Sequence, residues 1–386
     1  MVERVAVNPE VVAWAADAAS AADIHLDRFA KLEDWIDGLL DPTFGQLQDF
    51  ASTTHVPLGY FFLDHVPEER LPVTDFRRRE VRGSAPSSAL LDTIAMCSER
   101  QDWFSAYLAR LGADPSPLVG SVTTSTAPET AAGAISDAVG YAAGAPSATQ
   151  QDALRHMVEA VESSGIMVMV NSLVGNNTHR RLDSDEFQGF TLVDSLAPLV
   201  FVNGSDTKNA QAFTLFHEVA HVALGIPGVS SSAGSPDHDH DLAEVERWCN
   251  AVAGRVLVPT AMIPARVDLS NPEPTLEALG RRFHVSTLVV LRRLYDEGRL
   301  TWERFRGIYL AEEARLRAIA VRRLDEDKSS GGNPYYVWPY RVGRRFARAV
   351  VADAREGGTL YRDAYRLLST RTTRAFDGFA AHLEAH

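Results

Sequence analysis

The stretch FTLFHEVAHVALG, residues 213–225, places two histidines four positions apart, with a glutamate directly after the first. Residues four apart lie on the same face of an α-helix, so His217 and His221 can bind one metal ion together. Glu218 lies about 100° further round the helix, beside the metal, where a base would take a proton from water. The alternative is a pair of core histidines hydrogen-bonded to the backbone. A third ligand on another element would decide between the two.

A second helix, predicted over about 241–258 (DLAEVERWCNAVAGRVLV), offers the third protein ligand that a catalytic zinc site needs. At 100° per residue, Glu246 lies about 65° from the centre of the apolar stripe of this helix and Glu244 about 135°. Glu246 is therefore expected to point inward and Glu244 toward solvent. Asp241 is expected to cap the helix. The run DHDHD (237–241) is expected to be a solvated loop rather than a second metal site.

HEVAH followed by VERWCNAVAGRVLVP resembles the ImmA/IrrE family of metallo-endopeptidases, whose second motif has the form E-x-x-A-N-x-F-A-x-x-L-L-x-P. The resemblance covers about residues 165–265. Cys249 stands at the position of the usual Ala, and Val252 at that of the usual Phe. The resemblance implies Glu218 as the catalytic glutamate and a zinc site of the gluzincin type. Its implied Zn²⁺ ligands are His217, His221 and Glu246.

Substrate binding is expected at the β-rich run PLVFVN (198–203), which precedes the zinc helix as the edge strand does in such peptidases. An exposed strand edge can pair with an extended peptide, which makes Phe201, Val202 and Asn203 the expected substrate-binding residues. A peptidase also needs a group that stabilises the developing oxyanion. His179, in the polar stretch VGNNTHRRLD, is a candidate for this catalytic role, although a turn histidine without such a role is the simpler interpretation.

The whole chain is too long for one core, so two or three domains are expected. Helical periodicity dominates, and short β-rich runs at 165–170, 189–194 and 198–203 precede the zinc helix, which predicts a mostly helical α+β fold. The run SSGGNPYYVWPY (329–340) is expected to be a loop. The predicted parts are a helical domain over 1–66, a helical connector over 67–120, a gluzincin-like zinc peptidase domain with a small sheet over 121–265 and a helical C-terminal region over 266–386.

The N-terminal stretch 29–63 resembles the Xre-type helix-turn-helix domain that fused members of this family carry. Between Phe29 and Trp35 there is little room for a full recognition helix. Residues 1–66 hold 11 acidic groups against 3 basic ones, the wrong sign for contact with phosphates. A degenerate module that forms a dimerisation or protein-docking surface is therefore favoured over one that reads DNA. The residues that match the Xre pattern are Trp35, Gly38, Pro42, Thr43, Leu47 and Ala51.

A second helix-turn-helix pattern is LEALGRRFHVSTLVVLRRLYDEG, residues 276–298. Val285 and Ser286 are expected to form its turn and cap, and residues 271–386 hold 21 Lys and Arg against 15 Asp and Glu. A structural or substrate-docking role is expected at least as much as DNA binding. The arginines that would supply positive charge are Arg281, Arg282, Arg292 and Arg293.

The composition of the 386 residues, 45% hydrophobic and 23% charged, is typical of a soluble globular protein. No apolar run approaches the roughly 18 residues of a membrane helix, and the start lacks the apolar core of a signal peptide. A cytoplasmic location without membrane association is expected. Cys97 and Cys249 are too few for a disulfide framework and are expected to be buried core residues.

The sequence is compatible with two functions. The first is a zinc-dependent endopeptidase that cleaves a regulatory protein; the family resemblance implies a repressor or antitoxin in a stress, prophage or toxin–antitoxin system. The second is a non-proteolytic regulator or antitoxin that binds DNA or a toxin partner and keeps zinc for structure. Three protein ligands together with Glu218 favour an open, catalytic site.

Overall fold

The computed structural model describes residues 4–21, 24–67, 73–76, 86–230, 244–326 and 334–385. This described part contains 15 helices and one five-stranded sheet, so the predicted mostly helical α+β fold is confirmed. Two compact units form: one comprises Met1–Pro72 with Ser84–Asp92, the other Val73–Gly83 with Thr93–His386. The predicted boundaries near residues 120 and 265 both fall inside the second unit.

The N-terminal unit packs around Trp35, Phe50 and Phe61, all at most 2% exposed. Thr43 begins the third helix: its hydroxyl accepts from the Gln46 N–H at 3.2 Å, and the Gln46 side chain accepts from the Thr43 N–H at 2.9 Å. The helix before it has only five residues. The helices are α1 (Pro9–Ala21), α2 (Leu32–Ile36) and α3 (Phe44–Thr54), followed by a 3-10 turn (Leu58–Phe62).

The single sheet lies wholly in the second unit, with strand order β1-β5-β3-β4-β2. β2 and β4 run parallel, β3 is antiparallel to both β4 and β5, and β1 is parallel to β5. The three predicted β-rich runs form β2, β3 and β4. The other two strands have three residues each, too short to show a periodic pattern. The bounds are β1 (Thr74–Phe76), β2 (Met167–Asn171), β3 (Gly189–Leu192), β4 (Leu199–Asn203) and β5 (Gly228–Ser230).

β4 is an interior strand, and the expectation of an edge strand there was wrong. Its backbone pairs with β2 on one side and β3 on the other, so no row of free N–H and C=O groups is left for a peptide. Its side chains are also enclosed: Phe201, Val202 and Asn203 are at most 2% exposed. These three residues therefore do not form a peptide-binding edge.

The helix with the two histidines, α7, is the centre of the second unit. Thr207 caps it by accepting from the Ala210 N–H at 3.3 Å, and from 211 to 223 every residue except Phe213 is buried. β3 and β4 pack against α7, as do α6 and α8. The helices between residues 88 and 257 are α4 (Ser88–Arg110), α5 (Pro128–Val139), α6 (Gln150–Ser163), α7 (Lys208–Leu224) and α8 (Glu244–Leu257).

The C-terminal part is helical, as predicted. Within it the expected turn is present: Ser286 begins a helix by accepting from the Val289 N–H at 3.3 Å. Arg293, expected to add surface charge, is 1% exposed and lies 2.8 Å from Glu297, so it is not available to a phosphate. The helices are α9 (Pro272–Phe283), α10 (Thr287–Asp296), α11 (Trp302–Glu326), α12 (Pro334–Val342), α13 (Arg344–Arg355), α14 (Tyr361–Leu367) and α15 (Thr373–Ala385).

The loop expected over 329–340 was wrong for its described part, since 334–342 forms α12. Pro334 occupies the first helical turn, where the missing N–H costs nothing. Trp338 then secures the helix: its indole donates to the Leu368 carbonyl at 2.9 Å and stacks on Phe379 at a ring separation of 4.4 Å. Tertiary packing therefore overrides the proline inside this helix, Pro339. None of the helices described is long and apolar enough to span a bilayer.

Candidate metal centre

The structure brings His217, His221 and Glu246 together, as the sequence predicted. The Nε2 atoms of the two histidines on α7 lie 3.2 Å apart. Glu246 reaches in from α8, with Oε1 2.9 Å from His221 Nε2 and Oε2 3.4 Å from His217 Nε2. All three side chains are at most 5% exposed, whereas Glu244 on the same helix is exposed. Helix geometry thus correctly predicted that Glu246 points into this group and Glu244 toward solvent.

The donor set and its spacing fit a zinc ion. Zinc binds imidazole nitrogen and carboxylate oxygen at about 2.0–2.2 Å, so tetrahedral ligands lie about 3.3 Å from one another. The observed separations, from 2.9 to 3.4 Å, agree with that value. In the part of the chain that the structure describes, this is the group of His, Cys, Asp and Glu side chains with metal-binding spacing.

The electrostatics of the group keep the carboxylate ionised. Burial would raise the pKa of Glu246, but the adjacent His217 and His221 lower that pKa to about 2. Burial would likewise lower the pKa of His217, but the charge of Glu246 and its hydrogen bond raise it to about 9. The pair thus attracts strongly across a buried space. The ionised carboxylate is the form that binds a metal, and a metal ion would displace the second proton of His217.

Glu218 lies beside the three donors and is fully buried. Its Oε2 accepts a 2.7 Å hydrogen bond from the Thr191 hydroxyl on β3. Its Oε1 has no hydrogen-bond partner among the described residues. Burial raises the pKa of Glu218, so its carboxylate is a stronger base than one at the surface. One oxygen is therefore held in place while the other remains able to take a proton.

Three supporting residues were not identified from the sequence. Asn250, one turn after Glu246, lies with Oδ1 2.9 Å from His217 Nδ1, which fixes the proton there and leaves Nε2 for a metal. The family motif carries Asn at this place, so a signal for it existed. The Ser230 hydroxyl lies 3.2 Å from His217 Nε2. Thr191 and Ser230 both lie on strands, and no sequence motif pointed to either of them.

The approach of β3 to α7 requires a glycine at 189. A Cβ added there would lie 2.6 Å from Thr214, 2.8 Å from the Phe201 carbonyl oxygen and 2.9 Å from Glu218 Oε1. Gly189 also pairs with Ser230 in the sheet. β3 and β5 therefore lie directly against the site, and the missing side chain leaves room for the Glu218 carboxylate.

Removing the Asn250 amide is expected to weaken zinc binding. In Asn250→Ala the His217 ring loses the partner that fixes its tautomer, and loss of such a partner typically costs about 10- to 100-fold in metal affinity. Asn250→Asp keeps an acceptor at the same place and should retain near wild-type affinity. Competition with a chromophoric chelator measures both constants. Equal affinities for the alanine variant and the wild type would show that Asn250 does not orient His217.

His179 lies in an exposed turn, where its backbone N–H donates to Asn177 Oδ1 at 3.0 Å. It is not part of the group with metal-binding spacing, and its role in oxyanion stabilisation stays a prediction. Asp241 and the run 237–241 lie outside the described residues. Cys97 and Cys249 are buried free thiols, as expected.

Two histidines and a glutamate beside a buried base define a site of the metallopeptidase class, and comparison with known proteins agrees. A family model described as the IrrE N-terminal-like domain, of the M78 peptidases, matches residues 161–295. This segment holds all three donors and Glu218, and the match supports the ImmA/IrrE family and a peptidase activity. A second family model, a domain of unknown function (DUF8813), matches residues 342–382. No curated protein and no solved structure matches the chain.

Proposed function

We propose that this protein is a zinc-dependent endopeptidase of the ImmA/IrrE type. The observation that carries the proposal is the buried carboxylate of Glu218, with one oxygen held by Thr191 and the other unpartnered within the described structure. A purely structural zinc site has no use for such a base. Structural sites also have four protein ligands, whereas the described part of the chain supplies three, His217, His221 and Glu246.

Each residue of the centre has a separate task in peptide hydrolysis. A bound zinc ion would polarise the scissile carbonyl and acidify a water molecule. Glu218 would act as the general base, taking a proton from the attacking water and returning it to the leaving amine, since its Oε1 is not engaged elsewhere in the described structure. Thr191 keeps the carboxylate oriented through Oε2. Asn250 holds the His217 ring in the tautomer that binds metal.

The proposed substrate is a regulatory protein, a repressor or an antitoxin, rather than proteins in general. Burial of the site supports selectivity: His217 is 4% exposed, and Glu218 and His221 are 0% exposed. Only a segment delivered by a specific partner would reach them, which predicts weak activity toward casein-like substrates.

Co-expression with the product of each neighbouring gene tests this proposal. Mass spectrometry should find one cut in one partner, present with the wild type and with Glu244→Gln, and lost with Glu218→Gln. Glu244 is the matched control because it is a glutamate of α8 that faces solvent. If no partner is cut, and Glu218→Gln cells behave as wild type under stress, the peptidase proposal fails and the regulator alternative replaces it.

The N-terminal unit is expected not to bind duplex DNA at physiological salt. With 11 acidic groups against 3 basic ones in residues 1–66, contact with phosphates would release no counterions. A docking or dimerisation surface is the role proposed for this unit instead. A mobility-shift titration of the full chain, compared with a chain that lacks residues 1–66, measures this. A salt-sensitive shift seen only with the longer chain would contradict the expectation.

A further inference from the structure

A cavity of about 830 Å³ lies away from the metal ligands, between the peptidase region and the C-terminal helices. One wall is formed by α6, the ends of β2 and β4, and the start of α7. The other is formed by α12, α13 and α15. Ligand pockets for drug-sized molecules measure roughly 300–1,000 Å³, so this cavity has room for a whole small molecule.

The lining of the cavity is strongly basic. It includes Arg155, Lys208, Arg341, Arg344 and His382, with one acidic side chain, Glu159. Two of the arginines are neutralised: Arg155 by Asp152 at 2.6 Å and Arg344 by Glu159 at 2.8 Å. The charges of Lys208 and Arg341 have no counterpart of this kind among the described residues of the lining.

Lys208 and Arg341 contact neutral amides instead of carboxylates. The Lys208 ammonium lies 3.2 Å from Gln211 Oε1, and the Arg341 guanidinium lies 3.3 Å from Asn176 Oδ1. No ion pair is found for either cation within the described part of the chain. Burial lowers the pKa of both, so each carries its charge at a cost that a bound anion would offset.

The local backbone adds to this preference for an anion. Lys208 is the first residue of α7, and the amino end of a helix carries partial positive charge. The cavity also lies at the carboxyl ends of β2 and β4, which run parallel and finish together at Asn171 and Asn203. In sheets of parallel strands this end is where ligands usually bind.

Apolar side chains complete the lining: Leu154, Val158, Val170, Val337, Pro339 and Leu383. We propose that the cavity binds a small organic anion in which an acidic oxygen group, phosphate or carboxylate, is joined to an apolar body. Lys208 and Arg341 would hold the acidic group. This role would involve the segment 342–382, matched by the domain of unknown function, since Arg344 and His382 line the same cavity.

Isothermal titration calorimetry of the full chain with octyl phosphate, octanoate and octanol tests the proposal. At least one of the two anions should bind with a stoichiometry of one, and octanol at least about tenfold more weakly, as for loss of a charged hydrogen bond. The anion that binds identifies the head group. The same titration of Glu246→Ala, which is expected to lack zinc, should give an unchanged affinity; a loss there would place the anion on the metal and overturn the proposal.

Charge reversal provides the residue-level test. Lys208→Glu and Arg341→Glu should each weaken anion binding by about 10- to 100-fold. Glu at the first position of a helix is favourable, so Lys208→Glu should fold, and melting temperature and zinc content check this. Lys208→Gln is a milder second variant. Arg362→Glu is the matched control, since its side chain is 84% exposed and lies outside the cavity. Equal affinities in all these variants, or no binding of either anion, would overturn the proposal.

Discussion

Glu218→Gln is expected to retain zinc and the fold but to lose peptide cleavage by about 100- to 10,000-fold, the usual cost of removing a general base. The amide has the size of the carboxylate and can still accept from Thr191, so packing should be preserved. It cannot take a proton, because its nitrogen carries no available lone pair. Cleavage of the identified partner under single-turnover conditions measures the loss, and metal analysis measures the retained zinc.

Glu244→Gln is the control for this experiment. It makes the same chemical change on an exposed side chain of α8 and should leave the cleavage rate within a factor of about two, as surface substitutions generally do. Two outcomes would count against a catalytic base. Zinc lost together with activity in Glu218→Gln would indicate a structural role for that carboxylate. A cleavage rate equal to wild type would show that another group takes the proton.

Glu246→Ala is expected to abolish most zinc binding. The wild type should purify with about one zinc per chain, because three protein ligands converge on one point. Without Glu246 only the two imidazoles remain as ligands, and the metal loses the liganding carboxylate that balances its charge in this buried space. Metal analysis of the purified proteins gives the stoichiometry, and thermal melting with and without a chelator gives the linked change in stability.

Glu244→Ala separates ligand loss from a general effect of changing α8. Its side chain is exposed, two positions before Glu246, and its zinc content should equal that of the wild type. His217→Ala should behave like Glu246→Ala. Equal loss of zinc in both glutamate variants would mean that the third ligand was assigned incorrectly, or that α8 itself is too weakly held to tolerate substitution.

The sequence by itself determined which side chains face the candidate metal centre, because their orientation follows from helix periodicity. Residues four apart on α7 must lie on one face, and the apolar stripe of α8 orients Glu246 inward and Glu244 outward. The caps of α3 and α10 were also predictable, because a helix cap is a local interaction. Thr43 and Ser286 satisfy N–H groups only three residues away, so a short stretch of sequence contains all the information.

Only the tertiary structure decided which strand lies at an edge and which residues support the centre. The strand β4 has the same local pattern whether it is paired on one side or two, so its interior position depends on distant β2 and β3. Thr191 meets Glu218 across 27 positions, and Trp338 stabilises α12 through Leu368 across 30. The cavity is likewise lined by the start of α7 and by helices that lie more than a hundred residues later in the chain. Such contacts depend on the packing of the whole chain, since no local pattern encodes which distant surfaces meet.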